Sequence, residues 1–172
     1  MPHRIDYSLS NDEYHAAPDL NTSAIKELLK SPSHYQEYVT APRKPPTHAK
    51  LIGSAVHAAV LEPDIFYSNY VVLPENFDGR TKENKEKVDS LKTSGRTPLK
   101  FEDYQHCLDM ATALHTHATA RRLLNQGCAE VSVFAEIDGI PVKCRPDWLR
   151  KESRLIVDLK TTEDASERGF TR

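Results

Sequence analysis

Cysteine, tryptophan and long apolar runs are all scarce in this sequence of 172 residues, which contains three cysteines and one tryptophan. Cys107, Cys128 and Cys144 are odd in number and form no Cys-x-x-Cys pair, which argues against a disulfide framework, a structural zinc site and an iron–sulfur cluster. No apolar run approaches the roughly 20 residues needed to cross a bilayer. The first residues also lack the apolar centre of a signal peptide. We therefore expect a cytoplasmic protein with reduced thiols and no membrane partner.

A strong excess of positive charge is also missing, since the formal net charge is −2. No global field draws the chain onto nucleic acid, so any DNA contact must come from local patches. The lysine-rich segment that includes Lys82 and Lys85 is one such patch, although the same lysines equally fit a solvated helix face. This polar stretch, residues 73–100, is the best candidate for a mobile insertion. The length suits one domain with one sizeable core.

Helical patterns fill the first part of the chain and strand patterns follow. N-cap residues precede apolar residues at helical spacing after Asn21, and further helices are predicted over residues 33–38, 51–61, 82–91 and 101–124. Alternation then predicts strands over residues 130–137 and 140–145, and a third strand over Leu155–Thr161. The sequence predicts an α+β fold in which N-terminal helices precede an antiparallel three-stranded meander.

The first predicted hairpin has a definite register. Asp138-Gly139 is a strong signal for a two-residue type I′ turn, which places Ile137 opposite Ile140. Continuing along the two strands places Glu130 opposite Asp147 on the face away from the apolar residues.

The second predicted turn extends this polar face. If it uses the four residues 151–154, Asp158 also lies opposite Asp147, and Lys160 shares the face of Asp158. Burying unpaired charges is costly, and opposed carboxylates repel each other. A bound Mg²⁺ or Mn²⁺ would offset that repulsion, since both ions prefer oxygen ligands.

Two alternatives remain at this site. Lys160 could simply neutralise Asp158 or Asp147 in a structural ion pair. Glu136 also lies on the polar face and competes with Glu130 as the third acid, although it sits close to the turn. Ser132 has no partnered acid or histidine pattern that would support a serine nucleophile.

Pro146-Asp147, followed by Asp158-Leu159-Lys160 on the next strand, resembles the PD-(D/E)xK nuclease signature. The segment Gly53–His57 resembles the helix that supplies a histidine in RecB-like and RecE-like nucleases. Arg145-Pro146-Asp147 and residues 158–166 resemble the C-terminal nuclease domain of phage-type RecE exonuclease (exonuclease VIII). This resemblance runs from about Tyr14 to the end of the chain.

The resemblance implies a restriction-endonuclease-like core in a single nuclease domain, residues 1–172. It implies a Mg²⁺-dependent enzyme that degrades one strand of double-stranded DNA from its 5′ end toward the 3′ end. Such enzymes serve phage homologous recombination with a single-strand-annealing recombinase, and relatives form homo-oligomeric rings around DNA.

The resemblance also implies roles for particular residues. Glu130, Asp147 and Asp158 would hold the metal ions, with His57 as a further ligand or its orienting group. Lys160 would orient or help activate the attacking water. We expect the DNA contacts to include Arg145, Lys82 and Lys85.

One departure from the family pattern concerns the end of the chain. Relatives continue past this motif into a helix that carries a glutamine and a tyrosine near the active site. We therefore expect a C-terminally truncated domain with reduced stability and with reduced or no activity. The alternatives are a RecB-like nuclease that cuts internally or on single strands, and a non-catalytic DNA-binding remnant.

Overall fold

The computed structural model describes residues 4–42 and 45–170. Its chain divides into two compact units, the first built from Met1–Pro45 and Gln126–Asp158, the second from Pro46–Asn125 and Leu159–Arg172. Among the described residues, no helix is long and apolar enough to cross a membrane.

Helices and strands alternate irregularly along the chain. The helices are α1 Asn11–Ala16, α2 Thr22–Lys30, α3 Pro32–Thr40, α4 His48–Leu61, α5 Pro63–Asn69, α6 Lys82–Thr93, α7 Phe101–Thr116, α8 Ala118–Leu123 and α9 Glu167–Phe170. The strands are β1 Arg4–Asp6, β2 Tyr70–Val72, β3 Thr97–Leu99, β4 Cys128–Ala129, β5 Ser132–Ile137, β6 Ile140–Cys144, β7 Trp148–Arg150 and β8 Leu155–Val157.

The first unit contains two antiparallel sheets, in the strand orders β1-β5-β6 and β4-β7-β8. The predicted hairpin register is confirmed, because Ile137 pairs with Ile140 across the turn. Asp138 and Gly139 both have positive φ, at 51° and 81°, as a type I′ turn requires. The α+β architecture with antiparallel strands is thus confirmed.

The predicted third strand differs in length. β8 pairs with β7 in the register expected from a turn over residues 151–154, but it ends at Val157 instead of continuing to Thr161. Pro146 separates β6 from β7, and its ring nitrogen has no hydrogen to donate to a ladder. One predicted meander therefore becomes two small sheets.

The helix predicted after Asn21 begins where its cap predicts, and the helix predicted over residues 33–38 lies within α3. The Asn21 side chain accepts a hydrogen bond from the Ala24 backbone N–H at 2.8 Å, and Ser31 caps α3 through the His34 N–H. Tyr14 and Ala24 are buried, as is Val131 at the start of the central hairpin. These residues form the apolar centre of this unit.

The second unit is built around α4, α5 and α7. Val56, Phe66 and Leu99 are almost fully buried, and Phe66 stacks on Tyr70 with ring centroids 5.3 Å apart. The β2 and β3 strands pair in parallel, so the segment between them, including α6, forms the crossover. That segment overlaps the proposed insertion of residues 73–100, whose mobility stays a prediction.

The single long helix expected over residues 101–124 is wrong. His117 leaves the helical conformation with ψ of 116°, which separates α7 from α8. The imidazole Nδ1 of His117 then accepts a hydrogen bond from the Ala120 N–H at 3.3 Å. The apolar periodicity of the sequence continues through His117, so it gives no sign that this side chain caps a new helix.

Candidate functional site

The polar face of the first unit is a ladder of paired side chains. Phe134 pairs with Lys143 in the β5–β6 ladder. The same offset places Ser132 opposite Arg145 and then Glu130 opposite Asp147, all on one face. The Glu130 N–H donates to the Asp147 carbonyl at 3.1 Å, so the pairing continues beyond the regular strands.

The acids at the end of this ladder are close together. One carboxylate oxygen of Glu130 lies within 4.8 Å of one from Asp147, and both residues are half-buried. Two negative charges at that separation repel each other by about 1 kcal/mol in water and roughly 3.5 kcal/mol at an effective dielectric constant near 20. Such a pair of hard oxygen donors fits a divalent cation.

The backbone at Glu130 supports this interpretation. Its φ is 49°, in the left-handed region that residues other than glycine rarely adopt. Strained backbone of this kind concentrates at functional sites. Glu136, the rival third acid, is exposed and pairs with Pro141 beside the turn. The geometry therefore favours Glu130 as the acid that accompanies Asp147.

Asp158 follows the last residue of β8. Trp148 pairs with Val157, and residues 151–154 form the connecting turn, as predicted. The next position along this register brings Asp158 opposite Asp147. The expectation of a buried charged strand is wrong, however, because Asp158 and Lys160 are exposed and Ile156 keeps 62% of its surface exposed. Because β8 ends at Val157, before Asp158 and Lys160, solvent reaches both charged side chains.

His57 and Lys160 belong to the second unit. His57 is half-buried on α4, one helical turn after Gly53 and on the same face. A Cβ atom added at Gly53 would lie 3.4 Å from the Thr161 hydroxyl oxygen, so the residue after Lys160 packs against this turn of α4. Within this unit, the Lys160-Thr161 segment therefore runs beside the helix that carries His57.

Arg145 and Lys143 occupy the next two positions on this face of the ladder after Asp147. Both hold the ring of Tyr14, with the Arg145 guanidinium carbon 4.4 Å and the Lys143 Nζ 4.9 Å from its centroid. Lys143 is only 5% exposed, and its ammonium group donates to the carbonyls of Tyr14 and Ala17. Burial raises the pKa of the Tyr14 phenol, so the ring stays neutral at ordinary pH.

These side chains line a pocket in the first unit. It has a volume of about 470 Å³, and its wall includes Asn11, Tyr14, Glu130, Lys143, Arg145 and Pro146. Glu130, one of the two acids, therefore lines the same pocket as the cationic side chains of Lys143 and Arg145.

The remaining predicted DNA contacts lie on α6. Lys82 and Lys85 are exposed there, and the Lys82 ammonium lies 3.8 Å from the Glu86 carboxylate. Their contact with DNA stays a prediction. Sequence reasoning rejected Ser132 as a nucleophile and gave it no other part, although the hairpin offset that pairs Glu130 with Asp147 also pairs Ser132 with Arg145.

Two neighbouring acids on a hairpin, followed by Asp158-Leu159-Lys160 after the next strand, are the arrangement of the PD-(D/E)xK class. The chain matches the family described as a PDDEXK-like domain of unknown function (DUF3799) over residues 21–172, and it belongs to that family. No curated protein matches the chain. Membership points to nuclease chemistry in general, and PD-(D/E)xK nucleases use divalent metals. The more specific likeness to RecE stays a prediction.

Proposed function

We propose that this chain is a Mg²⁺-dependent exodeoxyribonuclease that degrades one strand of double-stranded DNA in the 5′ to 3′ direction. The observation that carries the proposal is the half-buried pair of Glu130 and Asp147, whose carboxylate oxygens lie within 4.8 Å of each other in a PDDEXK-like domain. Asp158 occupies the next position of the same register.

Each residue has a distinct part in the proposal. Glu130, Asp147 and Asp158 supply the oxygen ligands, and His57 is a further ligand on the strength of the sequence resemblance. A divalent ion bound there would polarise the phosphate, lower the pKa of a bound water and stabilise the leaving oxygen. Lys160 contributes a compact positive charge that orients the attacking water.

The exonuclease direction, the substrate and the partners are supported by the resemblance of Arg145-Pro146-Asp147 and residues 158–166 to RecE-like nucleases. On that basis we propose that the protein acts at double-stranded DNA ends in phage-type recombination. We further propose that it assembles as a homo-oligomeric ring and works with a single-strand-annealing recombinase.

A linear duplex labelled at one end tests the function, incubated with Mg²⁺, with Mn²⁺ or with EDTA. At the labelled end, we expect metal-dependent digestion of the strand whose 5′ terminus lies there, and no digestion in EDTA. Covalently closed DNA in the same assay should stay intact, since only an endonuclease cuts it. Cutting of the closed circle would favour the RecB-like alternative, and no digestion with any metal would favour a non-catalytic DNA-binding protein.

Substitutions then test the site. Asp147→Asn and Asp158→Asn should each lower the rate by roughly 100-fold or more, because even residues that only support metal ligands cost 10- to 100-fold when changed. Lys160→Gln should lower the rate while leaving metal binding intact. Glu136→Gln on β5 is the matched control and should cleave like the parent. Asp147→Asn that digests DNA at the parent's rate would refute the assignment.

A further inference from the structure

We propose that Arg145, held by Ser132 and Tyr14, is a positioning residue for the Asp147 carboxylate. The inference rests on the proposed metal site and adds the group that keeps its acids in place. It makes the half-buried Arg145 a support of the acid pair rather than a contact to DNA.

Arg145 is held by hydrogen bonds on two sides. Its Nε and Nη2 atoms donate to the Ser132 hydroxyl oxygen at 3.0 and 2.6 Å. Nη2 also donates to the carbonyls of Leu9 and Ser10, at 2.8 and 3.2 Å. The guanidinium plane lies over the Tyr14 ring, which is itself only 6% exposed. The planar fork of arginine allows few other orientations once these contacts form.

Ser132 explains why this arrangement is specific. It has no exposed surface, and a buried hydroxyl is costly without a hydrogen-bond partner. Its partner is the arginine directly opposite in the ladder. Ser132 lies two residues after Glu130, and Arg145 lies two residues before Asp147. The Ser132–Arg145 pair is therefore the neighbour of the acid pair on the same face.

Two features allow the anchored Arg145 to influence the Asp147 carboxylate. Pro146 joins Arg145 to Asp147, and its ring limits its φ to near −65°. Anchoring Arg145 therefore restricts the direction of the backbone at Asp147. The positive charge of Arg145 also acts on the site electrostatically, because Arg145 and Glu130 line the same pocket. If the Nε and Nη2 groups of Arg145 donated to a DNA phosphate instead, the Ser132 hydroxyl and the carbonyls of Leu9 and Ser10 would lose these hydrogen bonds.

Metal binding can be measured without any cleavage. Trp148 is the only tryptophan in the chain and follows Asp147 directly, so it can sensitise the luminescence of Tb³⁺ bound at the acids. The experiment titrates Tb³⁺ into the protein under tryptophan excitation and then displaces it with Mg²⁺. Each variant is measured well below its own melting temperature, and its affinity for duplex DNA is measured separately in EDTA.

Ser132→Ala removes the buried acceptor without changing any acid or charge. We expect it to weaken Tb³⁺ and Mg²⁺ binding about tenfold, as loss of a residue that orients a metal ligand typically does. DNA affinity in EDTA should be unchanged. Arg145→Lys keeps the charge but lacks the planar fork, and it should weaken metal binding similarly. Arg145→Lys provides the second test of the positioning role if Ser132→Ala folds poorly.

Two controls separate positioning from general stability. Arg4→Met removes a comparable arginine–aromatic contact, since the Arg4 guanidinium carbon lies 4.5 Å from the Phe134 centroid, but it lies farther along the sheet from the acids. Phe66→Leu destabilises the core of the other unit. Both should bind Tb³⁺ with the parent's affinity, whatever their melting temperatures.

The outcomes distinguish this inference from the proposed function. If the parent gives no Tb³⁺ signal that Mg²⁺ displaces, or if Asp147→Asn gives the same signal, the metal site itself fails and the positioning role fails with it. If the parent binds and Asp147→Asn does not, the site stands. In that case, unchanged metal affinity in Ser132→Ala and Arg145→Lys overturns the positioning role. Arg145→Lys that loses DNA affinity alone would instead make Arg145 a DNA contact.

Discussion

Replacing Gly127 by alanine should destabilise the first unit because the glycine leaves room for the indole of Trp148. A Cβ atom at Gly127 would lie 2.2 Å from Trp148 Nε1, 2.6 Å from its Cε2 and 2.9 Å from the Leu149 carbonyl oxygen. Ordinary carbon contacts need about 3.5 Å. The indole and the β7 backbone would both have to shift to admit the methyl group.

The expected loss follows from two opposing effects. Overpacking a filled site costs about 1–3 kcal/mol, whereas replacing glycine by alanine stabilises by roughly 0.4–1 kcal/mol through the unfolded chain. We place the cost near the upper end of its range, because a backbone carbonyl is among the clashing atoms. The net effect on the free energy of unfolding is a loss of about 2 kcal/mol. For a chain of this size the melting temperature should fall by roughly 4–8 °C.

Urea unfolding, followed by circular dichroism and by Trp148 fluorescence, measures the loss. Gly79→Ala is the matched control, since a Cβ atom there would meet only the Phe77 ring at 3.8 Å, an ordinary contact. Its unfolding free energy should stay within about 0.5 kcal/mol of the parent. A Gly127→Ala variant as stable as the parent, with unchanged Trp148 emission, would refute the close packing of the indole on Gly127.

Two further predictions concern buried polar groups. Lys143→Met should lower the free energy of unfolding by about 2–3 kcal/mol, because the carbonyls of Tyr14 and Ala17 lose a charged donor; the exposed Lys151→Met should have no such effect in the same urea titration. Burial raises the pKa of the Cys107 thiol to about 11, so this thiol is protonated near pH 8 and should react with a disulfide reagent only on unfolding. Cys128 and Cys144 are exposed and should react before Cys107, with Cys144 held back because burial raises the pKa of its thiol, and three equally fast thiols in the native protein would contradict this.

Local signals in the sequence were sufficient for the hairpin and its register. Asp138-Gly139 permits positive φ at two consecutive positions, which selects the type I′ turn. Because side chains alternate strictly along a strand, one known turn places every pair that follows. The pairing of Glu130 with Asp147 could therefore be predicted from the sequence alone, as could the helix start at Asn21.

Short strands and helix breaks left no comparable signal. The strands β1, β2 and β3 have three residues each, too few for alternation to be recognised. They form because distant segments supply partners, as β1 does by pairing with β5. The break at His117 interrupts a pattern that otherwise favours one continuous helix.

The sequence by itself determined the chemistry of the candidate site, because residue identity and strand period place two acids on one face. Only the tertiary structure decided which groups surround them. Arg145 is held by Ser132 and by carbonyls more than a hundred residues earlier in the chain, and such contacts between distant segments leave no periodic trace. Exposure of Asp158 and Lys160 was likewise decided by where β8 ends, since hydrogen-bonded pairing rather than side-chain pattern sets the end of a strand.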